Sequence, residues 1–379
     1  MENDCLQRAF SHGEYTVLWK NELSGIISKD QDPARPYSPA SDDSLHDVIP
    51  SLGPYTRPTY HADGSNSTVY KSTIAPEHCN FPTPSKHPTP PGLAVALKVT
   101  TPSLLYPPHD AYSEAIILKL LLPHETILPL LETFTTPSTS TRSSHFVLVS
   151  PFYPYSLANL PPKPQGNSGS QISLIKRILW DTISALDHLH KHGIIHRDIK
   201  PSNILLSHPP SSSRAYLADF GIAWSTTTHA KATEPPAEKI ADLGTAHYRV
   251  PEALFGYRGY GTELDLWSLG CVVAECFLNE LGGRTWEPFF DAGDLGSELR
   301  LIASIFQKLG TPTAESWPGS LRLPDFGKIQ FRDFPRKSWV ELLPNAPEAA
   351  RDLADKLLRY EGSERITAAE ALRHPLFAS

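Results

Sequence analysis

The apolar positions of this chain change period several times, and each change marks a predicted element. From residue 55 the pattern is strand-like, and Leu93-Ala94-Val95-Ala96-Leu97-Lys98-Val99 is apolar except for one lysine. Residues 110–122 shift to a helical period, with Ala115, Leu118 and Leu122 on one stripe. Residues 124–134 and 145–150 read as two further strands. The most regular stretch is 171–192, where Ile172, Ile175, Ile178, Leu179, Ile183, Leu186 and Leu189 share a face and Gly193 supplies the stop. Another helix is expected from Asp265-Leu266-Trp267 onward, carrying Cys271 and Cys276 in an apolar run. Residues 1–54 hold one short periodic piece, 15–27, followed by Asp-, Ser- and Pro-rich sequence, and are expected to form a flexible extension.

Composition refines this outline. Of 379 residues, 37 are proline, well above the usual share of about 5%. Many fall in the patches 32–58, 76–91 and 151–164, which lack backbone donors and read as loops or tails, with docking of a polyproline segment on another domain as the weaker alternative. An apolar content of 40% supports a proper core, enough for one large two-lobed domain or two small ones. The net charge of −7 gives no ground for nucleic-acid binding. No run approaches the roughly 18 apolar residues of a membrane span, and the start, Met-Glu-Asn-Asp, is unlike a signal peptide. The four cysteines show no C-x-x-C spacing, and Cys271 and Cys276 read as core thiols of a reducing compartment, cytoplasmic and/or nuclear.

The chemistry is concentrated in His196-Arg197-Asp198-Ile199-Lys200-Pro201-Ser202-Asn203, followed by Asp219-Phe220-Gly221. Moving a phosphoryl group needs a carboxylate to orient a hydroxyl, a cation for the phosphate, and an amide and a carboxylate to hold magnesium. This long pattern resembles the catalytic loop and metal-binding segment of eukaryotic protein kinases, and Lys200 resembles the Ser/Thr type. The resemblance covers residues 55–377 and implies an α+β, bilobal protein kinase fold. It implies an N-lobe at 55–150 with a Pro-rich insertion at 76–91, a hinge at 151–154 and a C-lobe at 155–377. ATP and Mg2+ are the implied cofactors.

Roles follow residue by residue from that resemblance. Asp198 orients the acceptor hydroxyl, Lys200 steadies the γ-phosphate, and Thr245 bonds near both. Asn203 and Asp219 bind magnesium. Lys98 holds the nucleotide phosphates and pairs with Glu114, since a lysine in an apolar strand is costly without a partner. Gly64 and Val69 belong to the phosphate-loop hairpin, whose other glycine positions fall on Ala62 and Ser67. Taken alone, that stretch reads as a turn. Ala96, the Pro151 carbonyl, Tyr153 and Leu205 surround adenine, with Ser150 as a small residue at the back of the pocket. Glu252 is expected to be buried against Arg365, and Asp265 to tie down the catalytic-loop backbone.

Tyr248-Arg249, Leu309-Gly310-Thr311-Pro312 and Trp317-Pro318 look like the cyclin-dependent-kinase (CMGC) branch. Residues 107–114 do not look like its cyclin-gripping motif, and its usual phosphothreonine position falls on Ile240. Arg197 is therefore expected to lack its phosphate, with Glu238 or Asp242 as a permanent negative substitute, or with a displaced phosphosite at Thr226, Thr227, Thr228 or Thr233. With the eroded glycine loop, these traits are similar to fungal single-subunit CDK-activating kinases. The expected activity is monomeric, ATP-dependent phosphorylation of a protein substrate, the activation-loop threonine of a cyclin-dependent kinase, without an obvious cyclin requirement, nucleic acid or membrane. A cyclin-partnered proline-directed kinase, a pseudokinase scaffold and a proline-rich adaptor are the alternatives.

Overall fold

The computed structural model describes residues 51–64, 66–73, 94–137, 144–160, 168–207, 214–226, 234–279, 281 and 285–378. The periodic piece at 15–27, the Pro-rich insertion at 76–91, Cys5, Cys79, Thr227, Thr228 and Thr233 lie outside these residues.

The N-lobe is a sheet with one helix. A short hairpin, β1 (Ser51–Leu52) and β2 (Tyr55–Thr56), precedes five antiparallel strands: β3 (Thr59–Asp63), β4 (Thr68–Thr73), β5 (Ala94–Thr100), β6 (Glu132–Pro137) and β7 (Ser144–Pro151). Their spatial order is β3-β4-β5-β7-β6. The two-residue period of β5 sends Val95 and Leu97 to one face, where they pack with Leu52, Tyr55, Val147 and Val149. Leu52 and Tyr55 are both buried in that cluster, so the folded lobe begins before residue 55. The opposite face of β5 carries Ala96 and Lys98 toward the cleft.

Helix α1 (Ala111–Leu121) follows β5. Asp110 caps it, accepting from the amides of Tyr112 and Ser113 at 2.9 and 3.1 Å, which satisfies two of the donors a helix start leaves unpaired. Ala115 and Leu118 are buried as the stripe predicts, together with Ile117 and Leu121, while Leu122 is the C-cap residue. The expected strand at 124–134 starts only at Glu132. Pro123 and Pro129 interrupt the ladder, and residues 124–131 instead run as a turn whose Ile127 bridges to Leu217 in the C-lobe.

The C-lobe is built on helices α2 (Ser168–Lys191), α3 (Glu263–Leu278), α4 (Glu298–Leu309) and α5 (Glu348–Leu357). Ile178, Leu179, Ile183, Leu186 and Leu189 of α2 are fully buried, and so are Cys271 and Cys276 of α3, both free thiols whose pKa burial pushes up. Three short strand pairings set up the chemistry. β8 (Tyr155–Ser156) and β11 (Ala215–Leu217) flank β10 (Ile204–Leu206), while β9 (Ile194–Ile195) pairs with β12 (Trp224–Ser225). The loop between β9 and β10 holds Asp198, and the loop between β11 and β12 holds Asp219. These pairings therefore bring the two carboxylates into one cleft. Among the described residues no helix is long and apolar enough to cross a membrane.

Candidate active site

The cleft between the lobes has a volume of about 360 Å³, and Gly64, Lys98, Glu114, Asp198, Lys200, Asn203 and Asp219 all line it. Lys98 Nζ lies 2.8 Å from both carboxylate oxygens of Glu114 and 2.7 Å from Asp219 Oδ1. Burial disfavours the lysine charge, but Asp219 and Glu114 outweigh it and push the Lys98 pKa up. Lys98 in turn holds the Asp219 carboxyl well below the usual carboxylate range, against burial. Both groups stay ionised at neutral pH. The expected Lys98–Glu114 pair is formed, with Asp219 as a third member.

The catalytic loop is tied from below. Asp265 accepts from the amides of His196 and Arg197, each at 2.8 Å, as its position in the sequence implies. His196 is fully buried and neutral, its pKa lowered by burial. Its Nε2–H donates to the Ala218 carbonyl at 3.1 Å, and its Nδ1 accepts from the Asp198 amide at 3.3 Å. Arg197 and Asp219 both hold positive φ, 71° and 65°, in the left-handed region that non-glycine residues disfavour. Backbone strain of this sort persists where surrounding bonds over-determine it, often at functional sites.

Asp198, Lys200 and Thr245 form one connected group. Lys200 Nζ lies 2.8 Å from Asp198 Oδ2 and donates to Thr245 Oγ1 at 2.7 Å, and the threonine hydroxyl donates to Asp198 Oδ1 at 2.9 Å. Gly244 precedes this threonine with φ +76°, and a Cβ there would meet the Arg197 carbonyl at 2.8 Å, so no side chain fits. Asn203 commits its amide nitrogen to Asp198, at 2.8 Å from the carbonyl and 3.0 Å from Oδ2. That orientation leaves Asn203 Oδ1 without a partner among the described residues, and Asp219 Oδ2 is likewise uncommitted. Two oxygen donors facing this cleft suit magnesium, which takes few protein ligands and completes its shell with water and phosphate.

The residues expected around the base are placed by strand register rather than by the same cavity. Val69 in β4 faces Ala62 and Lys98, and Ala96 faces Ser150. Gly64 closes the tip of the β3–β4 hairpin, its amide donating to the Ser67 carbonyl at 2.7 Å. Pro151 ends β7, and the next amide, Phe152, donates to the Ala94 carbonyl at 2.9 Å, which joins the hinge to the sheet. Tyr153 stacks on Tyr216, ring centroids 4.5 Å apart, and Leu205 lies opposite Tyr216 in the adjoining strand pair.

The activation segment departs from expectation. Neither Glu238 nor Asp242 neutralises Arg197. Glu238 is exposed, and Asp242 pairs with Arg249 at 3.2 Å. Glu234 takes the role instead, with its carboxylate oxygens 2.9 and 3.2 Å from Arg197 Nη1. The same carboxylate accepts from the Ile240 amide at 2.9 Å, so the segment's backbone closes over the pair. Lys239, also buried, lies over the rings of Trp224 and Tyr260 beside it. The sequence offers three acidic residues in this stretch and no local signal for choosing among them. Farther down, Arg365 grips Glu252 through two parallel bonds of 2.7 and 2.8 Å, as expected.

Comparison with known proteins agrees with this geometry. The family model for the protein kinase domain matches residues 92–377. The chain is 35% identical over 257 residues to serine/threonine-protein kinase csk1 of Schizosaccharomyces pombe, covering 67% of this chain and 76% of that protein. It is 37% identical over 205 residues to cyclin-dependent kinase 7 of Dictyostelium discoideum, covering 54% of this chain and 51% of that protein. The chain belongs to the protein kinase family, whose members use ATP and magnesium, and is a serine/threonine kinase of cyclin-dependent-kinase type.

Proposed function

We propose that this kinase is competent without activation-loop phosphorylation and acts on the activation-loop threonine of cyclin-dependent kinases. The observation that carries the first half is the buried Arg197–Glu234 pair. A phosphate at the usual position would order the segment by neutralising Arg197. Here a carboxylate encoded in the chain sits on that guanidinium and also holds the Ile240 amide. The segment is thereby ordered up to Thr245, which reaches Asp198 and Lys200.

In the reaction, Lys98 and Lys200 position the phosphates of ATP, and Asp198 accepts a hydrogen bond from the acceptor hydroxyl and takes its proton as the new P–O bond forms and the γ-phosphorus bond to the bridging oxygen breaks, releasing ADP. Magnesium held by Asn203 and Asp219 would neutralise phosphate charge. The choice of substrate is supported by the combination of this built-in charge with likeness to a cyclin-dependent kinase.

The test incubates unphosphorylated recombinant protein with Mg-ATP and a panel of inactive cyclin-dependent kinases, and reads each activation-loop threonine by mass spectrometry. Phosphorylation of that threonine is the expected result. Activity on a generic Ser/Thr peptide with failure on every panel member would discard the substrate and keep the kinase. Loss of activity on phosphatase treatment would discard phosphate-independent competence.

One observation favours a second reading, a kinase that requires a cyclin-like partner. Tyr112, Ile116 and Leu120 lie one turn apart along α1, and each is exposed by more than 40%. Strong stimulation by a co-purifying cyclin would favour it, and full activity of the bare chain would remove it.

A further inference from the structure

Two adjoining cavities meet at a residue to which neither the catalytic motifs nor the family resemblance assigns a role. His109, immediately before the α1 cap, lines both the main cleft and a neighbouring pocket of about 130 Å³ walled by Asp198, Lys200, Asp219 and Thr245. The first cavity is where the nucleotide phosphates belong, and the second is where an acceptor hydroxyl would approach Asp198. His109 therefore stands where the phosphoryl group passes from one to the other.

Its imidazole is partly buried and has no hydrogen-bond partner among the described residues. Each cation around it is shared with a carboxylate. Lys98 is held by Glu114 and Asp219, and Lys200 by Asp198 and Thr245. A neutral imidazole keeps one N–H donor, and here the ring lines the cavities with no protein acceptor for it among the described residues. The backbone on either side of the ring is fixed, with the His109 amide donating to the Tyr106 carbonyl at 2.9 Å and the Asp110 amide to the Gly221 carbonyl at 3.0 Å. The hairpin across the cleft has only Gly64 of its three glycine positions, which weakens its capacity to wrap phosphate with backbone N–H groups.

We propose that His109 is a phosphate-binding residue whose ring N–H donates to the terminal phosphoryl group of the bound nucleoside triphosphate. The inference rests on the kinase reading of the cleft and adds to it a contact that a diphosphate cannot make. Charge-assisted hydrogen bonds are about twice as strong as neutral ones, so the contact should be visible in binding.

The experiment measures affinity calorimetrically for Mg-ADP and for the magnesium complex of the non-hydrolysable β,γ-imido analogue of ATP, in the wild-type chain and in His109→Ala and His109→Gln. In His109→Ala the triphosphate analogue should weaken roughly tenfold relative to ADP, whose affinity stays within about twofold. His109→Gln retains an N–H donor and should recover part of the difference. An unchanged triphosphate-to-diphosphate ratio in His109→Ala, or equal weakening of both, overturns the proposal. Failure of the wild-type chain to bind either nucleotide would overturn the kinase reading of the cleft, and the inference with it.

Discussion

Glu234 sits on Arg197 inside the protein, with one carboxylate bridging a catalytic-loop guanidinium and the Ile240 amide at 2.9 Å each. The pair is almost completely buried, so removing one partner strands the other charge. Glu234→Ala should cost about 3–5 kcal/mol of stability and lower kcat by one to two orders of magnitude. Glu234→Gln, which keeps the shape and loses the charge, should fall between. Chemical denaturation and initial rates on a Ser/Thr peptide, both on protein without phosphate, check this.

Asp198→Asn isolates the chemical step. The amide still occupies the Lys200–Thr245 group but cannot take a proton, so kcat should drop by about 10²–10⁴ with little change in nucleotide affinity or melting temperature. Single-turnover phosphoryl transfer beside calorimetric ADP binding separates these quantities.

Arg365→Lys tests the lower anchor of the activation segment. The guanidinium spans both oxygens of Glu252, donates to the Glu263, Tyr360 and Arg359 carbonyls, and lies over the Trp267 ring at 5.2 Å. A lysine reproduces only one of the two forked bonds and none of the stacking. A loss of about 3 kcal/mol is expected, nearly that of Arg365→Ala, read by urea denaturation.

Glu275 on α3 gives a pH dependence. Burial pushes its carboxyl up from 4.5 to about 7, although Trp286, the Phe289 amide and Tyr248 all donate to it. Between those values the folded chain holds a proton that the unfolded chain has released. This contribution is complete below pH 4.5 and is lost as pH rises through 7, at up to roughly 1.4 kcal/mol per unit. Glu275→Gln should flatten the fall in stability between pH 5 and pH 8 relative to wild type, measured by denaturation across that range.

The residues that meet in the cleft were legible because their identities and spacing are local: one loop and one hairpin carry Asp198, Lys200, Asn203 and Asp219. Lys98 and Glu114 were legible for a different reason, since a charge in an apolar strand demands a partner. Glu234 was not, because its meeting with Arg197 depends on the path of the intervening chain and on burial, neither of which leaves a mark on composition. Asp242, two residues from Ile240, is drawn away by Arg249, which also binds Glu298 at 2.7 Å. The strand expected from residue 124 failed on Pro123 and Pro129, whose missing donors outweighed an apolar pattern. His109 carried no signal at all, as its place between two cavities exists only once the lobes close.

The bond from the Asp110 amide to the Gly221 carbonyl, 3.0 Å long, joins the start of α1 to the segment that carries Asp219. Displacing the start of α1 and turning the Asp219 segment would each break this same link. Each motion also pulls a carboxylate from Lys98. A blocker that displaces either element must therefore supply the cost of the shared bond and of one carboxylate leaving Lys98. A blocker that fits the closed cleft supplies neither, so inhibitors selected against this kinase should favour the closed form.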